Sequence, residues 1–410
     1  MNPVDRLHAL DAVRAYALLL GVVLHGAASF VEGFPIPMWF DTPSTGAAVI
    51  YYVIHMFRMS AFFLIAGFFA RMVVERRGVK PFVKDRLKRI AAPLFLGWPL
   101  VIIFLAGGAV LGALVHGVEN LQSLAALNQP PADAPAGGGG GGGINTAHLW
   151  FLYYLLIFYF LFLILRTVVH AIDTGGRLRA ATDRIVAFTM SGLWAPVIIA
   201  LPLIAFHIPF ANWSEWLGLP APFTLMPQLN AIVGYGVPFA LGWLLHRQIP
   251  LLLELRRWWI AYLAAAVVLT ALSLQIIGTT AVWGPAGLEG TQRVIYTFAY
   301  MIGLWCWVLG LIGAALRFLS HESAVNRYLA DASYFIYLMH MGTLIFFINA
   351  MRPFDWHWSI KLTVMIVGSM PILLVMYHYL VRFTWVGAVL NGRRHRKPPQ
   401  QDTDAAATAT

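Results

Sequence analysis

The sequence predicts an all-α, polytopic integral membrane protein, a bundle of about ten transmembrane helices with both termini in the cytoplasm. Three observations support this fold class. Hydrophobic residues make up 60% of the 410 residues and charged residues only 11%, whereas soluble domains carry about 25% charged residues. Apolar runs long enough to cross a bilayer recur along the chain. Basic residues concentrate in alternate loops, as membrane topology requires.

Apolar runs between polar breaks define the ten predicted spans, each placed to within several residues. In chain order they are 12–32, 48–70, 91–115, 147–166, 186–207, 229–246, 258–277, 293–316, 328–350 and 360–382. The first run also resembles a secretory signal peptide. Its basic flank is weak and a second apolar run follows closely, so we interpret it as a retained helix.

The basic residues orient these spans. Together with the N-terminal stretch and two arginines at span ends, five alternate loops hold 24 of the 28 Lys and Arg residues. These loops are 71–90, 167–185, 247–257, 317–327 and 383–410. The other loops hold only Arg293, Arg352 and Lys361, and the last of the 28, Arg58, lies within a span. The asymmetry places both termini in the cytoplasm and explains the net charge of +10 by topology, not by a nucleic-acid partner.

One transmembrane domain is predicted over 1–396. The Pro/Gly-rich segment 129–143 is predicted to be a disordered outer loop inserted in it, and 397–410 a disordered cytoplasmic tail. The lone cysteine, Cys306, lies in an apolar run, which excludes a disulfide framework and a Cys-based zinc site. No GxSxG, HExxH or P-loop motif occurs, so serine-triad hydrolysis, zinc proteolysis and NTP hydrolysis lack support.

Charged groups inside the first span are candidates for function, because an Arg or Asp at a helix centre costs at least ~2.5 kcal/mol. In "LDAVRAYALLLGVVLHGAASF", Arg14 and His25 are separated by three helical turns plus about 20°, so they share one stripe about 16 Å apart. Asp11 lies one turn below Arg14 and is predicted to pair with it. An ion pair at the cytoplasmic edge and a neutral core histidine remain the structural alternatives.

Further polar groups fall in the other predicted spans. His55 and Arg58 share a helix face, and a buried arginine needs a carboxylate, a carbonyl cluster or an anionic ligand. Two more segments, "HLWFLYYLL" and "ASYFIYLMH", contribute His148, Trp150, Ser333, Tyr337 and His340. Together these residues predict a polar cavity that opens outward and has positive charge at its floor.

Such a cavity suits a histidine-centred membrane enzyme or a transporter, and the residues alone do not separate the two. A neutral histidine is a competent general base toward an alcohol. No acidic residue lies near His25 along its helix, since Asp11 is about 20 Å below and Glu32 is two turns above. No metal site is predicted, because the histidines come from four separate helices and lack metal-ligand spacing.

The ordered set "LDAVRAYALLLGVVLH", "FRMSAFFLIAGFF", "RLKR" at 86–89, "HLWFLYYLL" and "LADASYFIYLMH" resembles the membrane-bound acyltransferase-3 family from Leu10 to about Phe383. Within it, the chain is similar to members that add succinyl groups to periplasmic glucans. The resemblance implies transfer of a succinyl or acetyl group from cytoplasmic acyl-CoA to a hydroxyl of a periplasmic glucan or another extracytoplasmic carbohydrate. It implies a bacterial inner-membrane location and acyl-CoA as a substrate, with no bound cofactor.

The resemblance also assigns roles, with His25 as the catalytic group of an Arg–His pair. The expected catalytic residues are His25, Arg14, Arg58 and His55; the acyl-CoA site is Arg86 and Arg89; the substrate-binding residues are His148, Trp150, Ser333, Tyr337 and His340. Plain positive-inside residues remain an alternative for Arg86 and Arg89. His25 acts either as a general base or as an acylated nucleophile. A transporter or flippase of a lipid-linked sugar, and a scaffold of polysaccharide assembly, are the competing functions.

Overall fold

A computed structural model describes residues 3–34, 41–117, 146–210, 216–282 and 284–392. Most of these residues are helical, and no β-strand occurs among them. The fold is therefore all-α, as the sequence predicts. The segments 129–143 and 397–410, predicted to be disordered, lie outside the described residues.

The helices follow one another along the chain with short connections. In order they are α1 (Pro3–Ala28), α2 (Thr45–Arg77), α3 (Val79–Arg86), a π-helical turn (Leu87–Ala91), α4 (Ala92–His116), a 3₁₀ turn (Ala147–Leu149), α5 (Trp150–Ile172), α6 (Arg177–Met190), α7 (Ala195–His207), α8 (Leu229–Leu245), a 3₁₀ turn (His246–Leu251), α9 (Leu252–Ile277), α10 (Gly290–Phe318), α11 (Ala324–Met351), α12 (Trp358–Met376), a π-helical turn (Tyr377–Val381) and α13 (Trp385–Asn391).

Local sequence explains several of the boundaries. Gly78 ends α2 and Gly278 ends α9, each with a positive φ of 82° and 80°, a conformation that costs glycine little. Pro93 and Pro196 stand in the first turns of α4 and α7. There the missing N–H group removes no helical hydrogen bond.

Eight helical stretches of the described chain are long and apolar enough to cross a membrane, and the pair α6 and α7, bent by 115°, would make a ninth. One stretch, Leu229–Ile277, has 49 residues. That is about 73 Å of helix, more than twice the ~30 Å hydrocarbon layer. It contains a non-helical residue, Gln248 (φ −131°, ψ 54°). The predicted count of ten spans requires this stretch to cross twice, so the count, like the orientation of the termini, stays a prediction.

Helix α1 lies at the centre of the bundle and packs against α2, α10, α11 and α12. Small residues on α1 are almost fully buried, which lets the neighbouring backbones approach closely. They are Ala9, Ala12, Ala15, Ala17, Ala27 and Ala28. The charged and titratable residues of α1 therefore have helical neighbours on several sides.

Helices α2 and α8 touch backbone to backbone. A Cβ added at Gly67 would lie 2.1 Å from the carbonyl oxygen of Phe239, and one added at Gly242 would lie 1.8 Å from that of Leu64. Both distances are too short for any side chain, so only glycine fits at the crossing. The crossing fixes α2, which carries His55 and Arg58, against α8.

A buried ion pair ties the start of α12 to the segment that follows α1. The ammonium of Lys361 lies 2.7 Å from the Asp41 carboxylate, and the two side chains are only 4% and 7% exposed. The amide of Asp41 also donates to the carbonyl of Ser29, 2.8 Å away. The Lys361–Asp41 ion pair thus stabilises the end of the bundle that is nearer to His25.

Candidate active site

Three histidines from three elements meet inside the bundle. The ring centroid of His25 on α1 lies 5.2 Å from that of His340 on α11 and 6.5 Å from that of His148. The rings of His148 and His340 are 5.0 Å apart. His148 and His340 are 4% and 1% exposed, while His25 keeps part of its surface accessible. The His25 ring thus faces two other imidazoles inside the bundle.

The hydrogen bonds of His340 fix which of its nitrogens carries a proton. Nδ1 lies 3.1 Å from the carbonyl oxygen of Ile336 and 2.8 Å from that of Tyr337. A carbonyl only accepts, so Nδ1 is the donor in a neutral ring and Nε2 presents a lone pair. Nε2 is buried without a hydrogen-bond partner among the described residues. His340 therefore offers an acceptor beside His25.

His148 is held by its main chain, and its ring is left for other contacts. The Tyr337 hydroxyl donates to the His148 carbonyl at 2.6 Å, and the two rings meet edge to face at 5.3 Å. Neither ring nitrogen of His148 makes a hydrogen bond of normal geometry in the described chain, although the main chain of Leu338 runs alongside. Buried unpaired nitrogens usually mark a place for water or a ligand.

Arg58 brings a positive charge to the same place. A Cβ added at Gly21, one turn below His25, would lie 2.4 Å from Nη1 of Arg58 and 4.0 Å from Nε2 of His340. Glycine at this position thus leaves room for the guanidinium against α1. Besides the histidines, its electrostatic neighbours within the described residues are the phenols of Tyr51, Tyr235 and Tyr337, with no carboxylate among them. Its buried Nε has no partner there.

His55 lies in an aromatic stack that the sequence did not reveal. Its Nε2 donates to the Leu219 carbonyl at 3.1 Å, and its ring lies nearly parallel to Tyr51 at 5.5 Å. Tyr51 in turn stacks on Trp216 at 5.8 Å. Because Trp216 and Leu219 belong to the connection between α7 and α8, this connection positions His55.

Two predicted substrate-binding residues contact other groups of the described chain instead of the three histidines. Trp150 is buried against Tyr154 and Tyr235, with ring centroids 5.9 and 5.4 Å away. The Ser333 hydroxyl donates to the carbonyl of Ala330 on its own helix, 2.9 Å away. Tyr337 is the residue of this set that contacts both His148 and His340.

The acidic side chains on and near α1 pair with residues other than the three histidines. Asp11 pairs with Arg14 at 3.0 Å, as their spacing predicts. The Glu32 carboxylate accepts from the Thr280 hydroxyl at 3.1 Å. No group of three or more His, Cys, Asp or Glu side chains in the described chain could hold a metal ion. The polar side chains gathered around His25 are imidazoles, phenols and one guanidinium.

A second cluster, made of basic side chains, lies nearer to the N-terminal end of α1. The Arg86 guanidinium rests on the rings of Phe82 and Tyr159, at 5.1 and 5.4 Å from their centroids, and its buried Nε has no partner among the described residues. The Tyr159 phenol also interacts electrostatically with Arg14 and Arg89. Three arginines from α1, α3 and the π-helical turn thus converge around one tyrosine. We call them the arginine cluster.

Two stacked tyrosines connect the arginine cluster to the histidines. The Tyr334 hydroxyl donates to the Arg89 carbonyl at 2.8 Å, and its ring stacks on Tyr337 at 6.4 Å. Tyr337 contacts His148 and His340. Arg89 is also anchored to the carbonyl of Leu390, 3.4 Å from its Nη2. Tyr334 lies one turn before Tyr337 in "SYFIYLMH", a spacing that could have indicated this connection.

Comparisons with known proteins identify the family of the chain. A family model described as "Acyltransferase domain" matches residues 7–378. The proteins named glucans biosynthesis protein C from Salmonella paratyphi B and Salmonella enteritidis PT4 are each 28% identical over 420 residues, which cover 99% of this chain and 98% of the relative. The protein of that name from Salmonella schwarzengrund is 27% identical over 419 residues, with the same coverage. No solved structure matches the chain.

Proposed function

Because the chain belongs to the acyltransferase-3 family and is a membrane acyltransferase, we propose that it acylates an extracytoplasmic carbohydrate. The donor is acyl-CoA, the transferred acyl group is succinyl or acetyl, and the acceptor is a hydroxyl of a periplasmic glucan or a similar sugar. The observation that carries the proposal is the contact of His25 with His148 and His340 beside Arg58. The proposed location is the bacterial inner membrane.

The arginine cluster would bind the donor. Phosphates and arginines form charge-assisted, bidentate hydrogen bonds, and the unpaired Nε of Arg86 is one available donor. Asp85 lies 3.4 Å from Arg86 and 3.7 Å from Arg89, so it orders both guanidiniums but neutralises only one charge. The acyl-pantetheine arm would then pass Arg14 toward His25, alongside Tyr334 and Tyr337.

The transfer step needs a base and a place for negative charge. His25 takes the proton of the acceptor hydroxyl as its oxygen attacks the thioester carbonyl, forming a tetrahedral oxyanion. The carbon–sulfur bond then breaks, and the coenzyme A thiolate takes the proton from His25. In the alternative route His25 itself attacks the thioester, and the acyl group passes from its ring to the hydroxyl. Both routes yield an ester and free coenzyme A.

The neighbours of His25 have distinct roles in this scheme. The Nε2 lone pair of His340 would accept a hydrogen bond from the ring N–H of His25 and so orient that ring, a role that carboxylates fill elsewhere. Arg58 would stabilise the oxyanion or, with a succinyl group, bind its free carboxylate. His148 and Tyr337 would contact the acceptor, with His55 as a proton relay. Trp150 and Ser333 would shape the pocket wall.

The proposed activity is tested by product analysis. Purified protein in proteoliposomes should release free coenzyme A from succinyl-CoA or acetyl-CoA only when glucan is present. Mass spectrometry of periplasmic glucans should show a mass shift of one acyl group that is lost when the gene is deleted. A transporter or flippase would instead change the location of the glucan and leave its mass unaltered.

The donor site gives a second prediction. Replacing Arg86 with glutamine is expected to raise the KM for acyl-CoA by about 10- to 100-fold, because one charge-assisted hydrogen bond contributes roughly 1.5–3 kcal/mol. Arg77→Gln removes an equal charge from an exposed residue at the end of α2 and should leave KM unchanged. Equal KM values for the two variants would contradict the assignment of Arg86 to the donor site.

A further inference from the structure

The basic segment after α2 has two different faces. On one face Lys80, Lys84 and Lys88 recur at every fourth residue, and all three are exposed. Beside them the apolar residues Val79, Val83 and Leu87 are 38%, 37% and 57% exposed. The opposite face carries Phe82, which is buried, and the two arginines of the proposed donor site. We call the six exposed residues the outward stripe of α3, although Leu87 and Lys88 lie in the π-helical turn that continues it.

The outward stripe lies where the apolar layer ends. Phe82 packs edge to face on Tyr159 of α5, with ring centroids 5.3 Å apart. Tyr159 precedes Arg166, the first charged residue of α5, by seven residues or about 10 Å of helix. The continuous stretch Val79–Val115 has 37 residues. That is about 55 Å, so a large part of it extends beyond a ~30 Å hydrocarbon layer.

In the described chain, the two carboxylates nearest to the outward stripe in sequence are paired with residues outside it. Asp85 is directed to Arg86 and Arg89. Glu75, at the end of α2, pairs with Arg71 at 2.6 Å and lies 3.3 Å from His246. Both acidic residues in this part of the chain therefore have other partners, and the three lysines form one row of positive charge.

We infer that the outward stripe of α3 binds the headgroups of anionic phospholipids in the adjacent leaflet, which the predicted topology identifies as the cytoplasmic one. Lysines with long apolar stems beside exposed valine and leucine are typical of a helix at the membrane interface. The apolar side chains would enter the acyl-chain boundary, and the ammonium groups would reach the phosphates. Each basic residue near such a surface contributes about 1 kcal/mol, a fivefold change in retention.

Lipid and coenzyme A both present phosphates, but the two faces of the segment separate them. The arginines point into the bundle, against Tyr159 and the end of α13, whereas the lysines point away from it. One helix would thus hold a soluble donor on its inner face and the membrane on its outer face. The inference is independent of the proposed reaction, because it concerns lipid retention and not turnover.

The test uses the full-length protein, reconstituted in equal parts of phosphatidylglycerol and phosphatidylcholine and analysed by native mass spectrometry for retained lipid. The variant K80Q/K84Q/K88Q is expected to retain phosphatidylglycerol roughly fivefold less tightly for each lysine removed. High salt should reduce retention by the unmodified protein more than by this variant. The charge-conserving variant K80R/K84R/K88R should behave like the unmodified protein, which controls for folding.

A matched control, R184Q/R257Q/R317Q, removes three positive charges from exposed residues elsewhere on the predicted cytoplasmic side. An equal loss of phosphatidylglycerol in the control and the lysine variant would overturn the inference, as would unchanged retention in the lysine variant. Displacement of the lipid from the unmodified protein by free coenzyme A would also overturn it. That result would assign the lysines to the donor site.

Discussion

His25→Ala is expected to lower acyl transfer by at least about 100-fold, the lower end of what a positioned acid–base group contributes. The ring of His25 meets two buried histidines, and an alanine methyl group would reach neither the acceptor proton nor the thioester. The measurement is glucan-dependent release of free coenzyme A by the purified variant. The amount of protein in the membrane and its thermal unfolding should match those of the unmodified protein.

The control for this substitution is His357→Ala. His357 is exposed at the start of α12, where its Nδ1 lies 2.8 Å from the Ser359 hydroxyl and its ring lies 5.5 Å from that of Trp358, away from the three histidines. Its loss should leave activity within the error of the assay. Full activity of His25→Ala would remove His25 from the chemistry and with it the basis of the proposed reaction.

A labelling experiment distinguishes general-base catalysis by His25 from acylation of His25. Labelled acyl-CoA is mixed with the unmodified protein in the absence of acceptor, and the reaction is quenched rapidly. Label bound covalently at His25 would establish the acylated histidine as an intermediate. A protein without label that still transfers the group once glucan is added would support general-base catalysis.

Lys361→Met is expected to cause the largest loss of stability, about 3–5 kcal/mol in the free energy of unfolding. The substitution leaves the Asp41 carboxylate buried and without its ammonium partner, since both side chains are more than nine-tenths buried. The shift is measured by thermal unfolding in detergent micelles. Arg352→Met, an exposed change on the same side of the bundle, should shift stability by no more than about 1 kcal/mol.

The double variant Asp41→Asn with Lys361→Met refines this expectation. Neutral residues at both positions remove the unpaired charge, so the double variant should be more stable than Lys361→Met alone. If the two substitutions acted independently, the double variant would be the less stable of the two. That outcome would show that the 2.7 Å contact contributes no coupling energy.

The sequence predicted those site features that lie on one helix. Spacing alone placed Arg14 one turn from Asp11, and their 3.0 Å contact confirms the pairing. It also placed Tyr337 and His340 on one face, and their rings are 6.3 Å apart. Helical periodicity holds for these pairs because both members belong to the same rigid element.

Features that depend on tertiary contacts could not be predicted in this way. His25 and His340 are more than three hundred positions apart, so only the packing of α1 on α11 brings their rings together. Ser333 shares its helix face with Tyr337, yet its hydroxyl bonds to the carbonyl of Ala330, because short hydroxyl side chains readily bond to their own helix. Trp216, which supports His55 through Tyr51, lies outside every predicted span.

The glycine crossing of α2 and α8 constrains how reactants reach the pocket. Rocking of one half of the bundle against the other, the motion by which many carriers alternate access, would have to pull Gly67 away from Phe239 and Gly242 from Leu64. A helix crossing this close favours a bundle that stays rigid, with donor and acceptor reaching the pocket through opposite entrances. The guanidinium of Arg58, carried on the same helix, would then be oriented once, when the chain folds, and would need no rearrangement in each catalytic cycle.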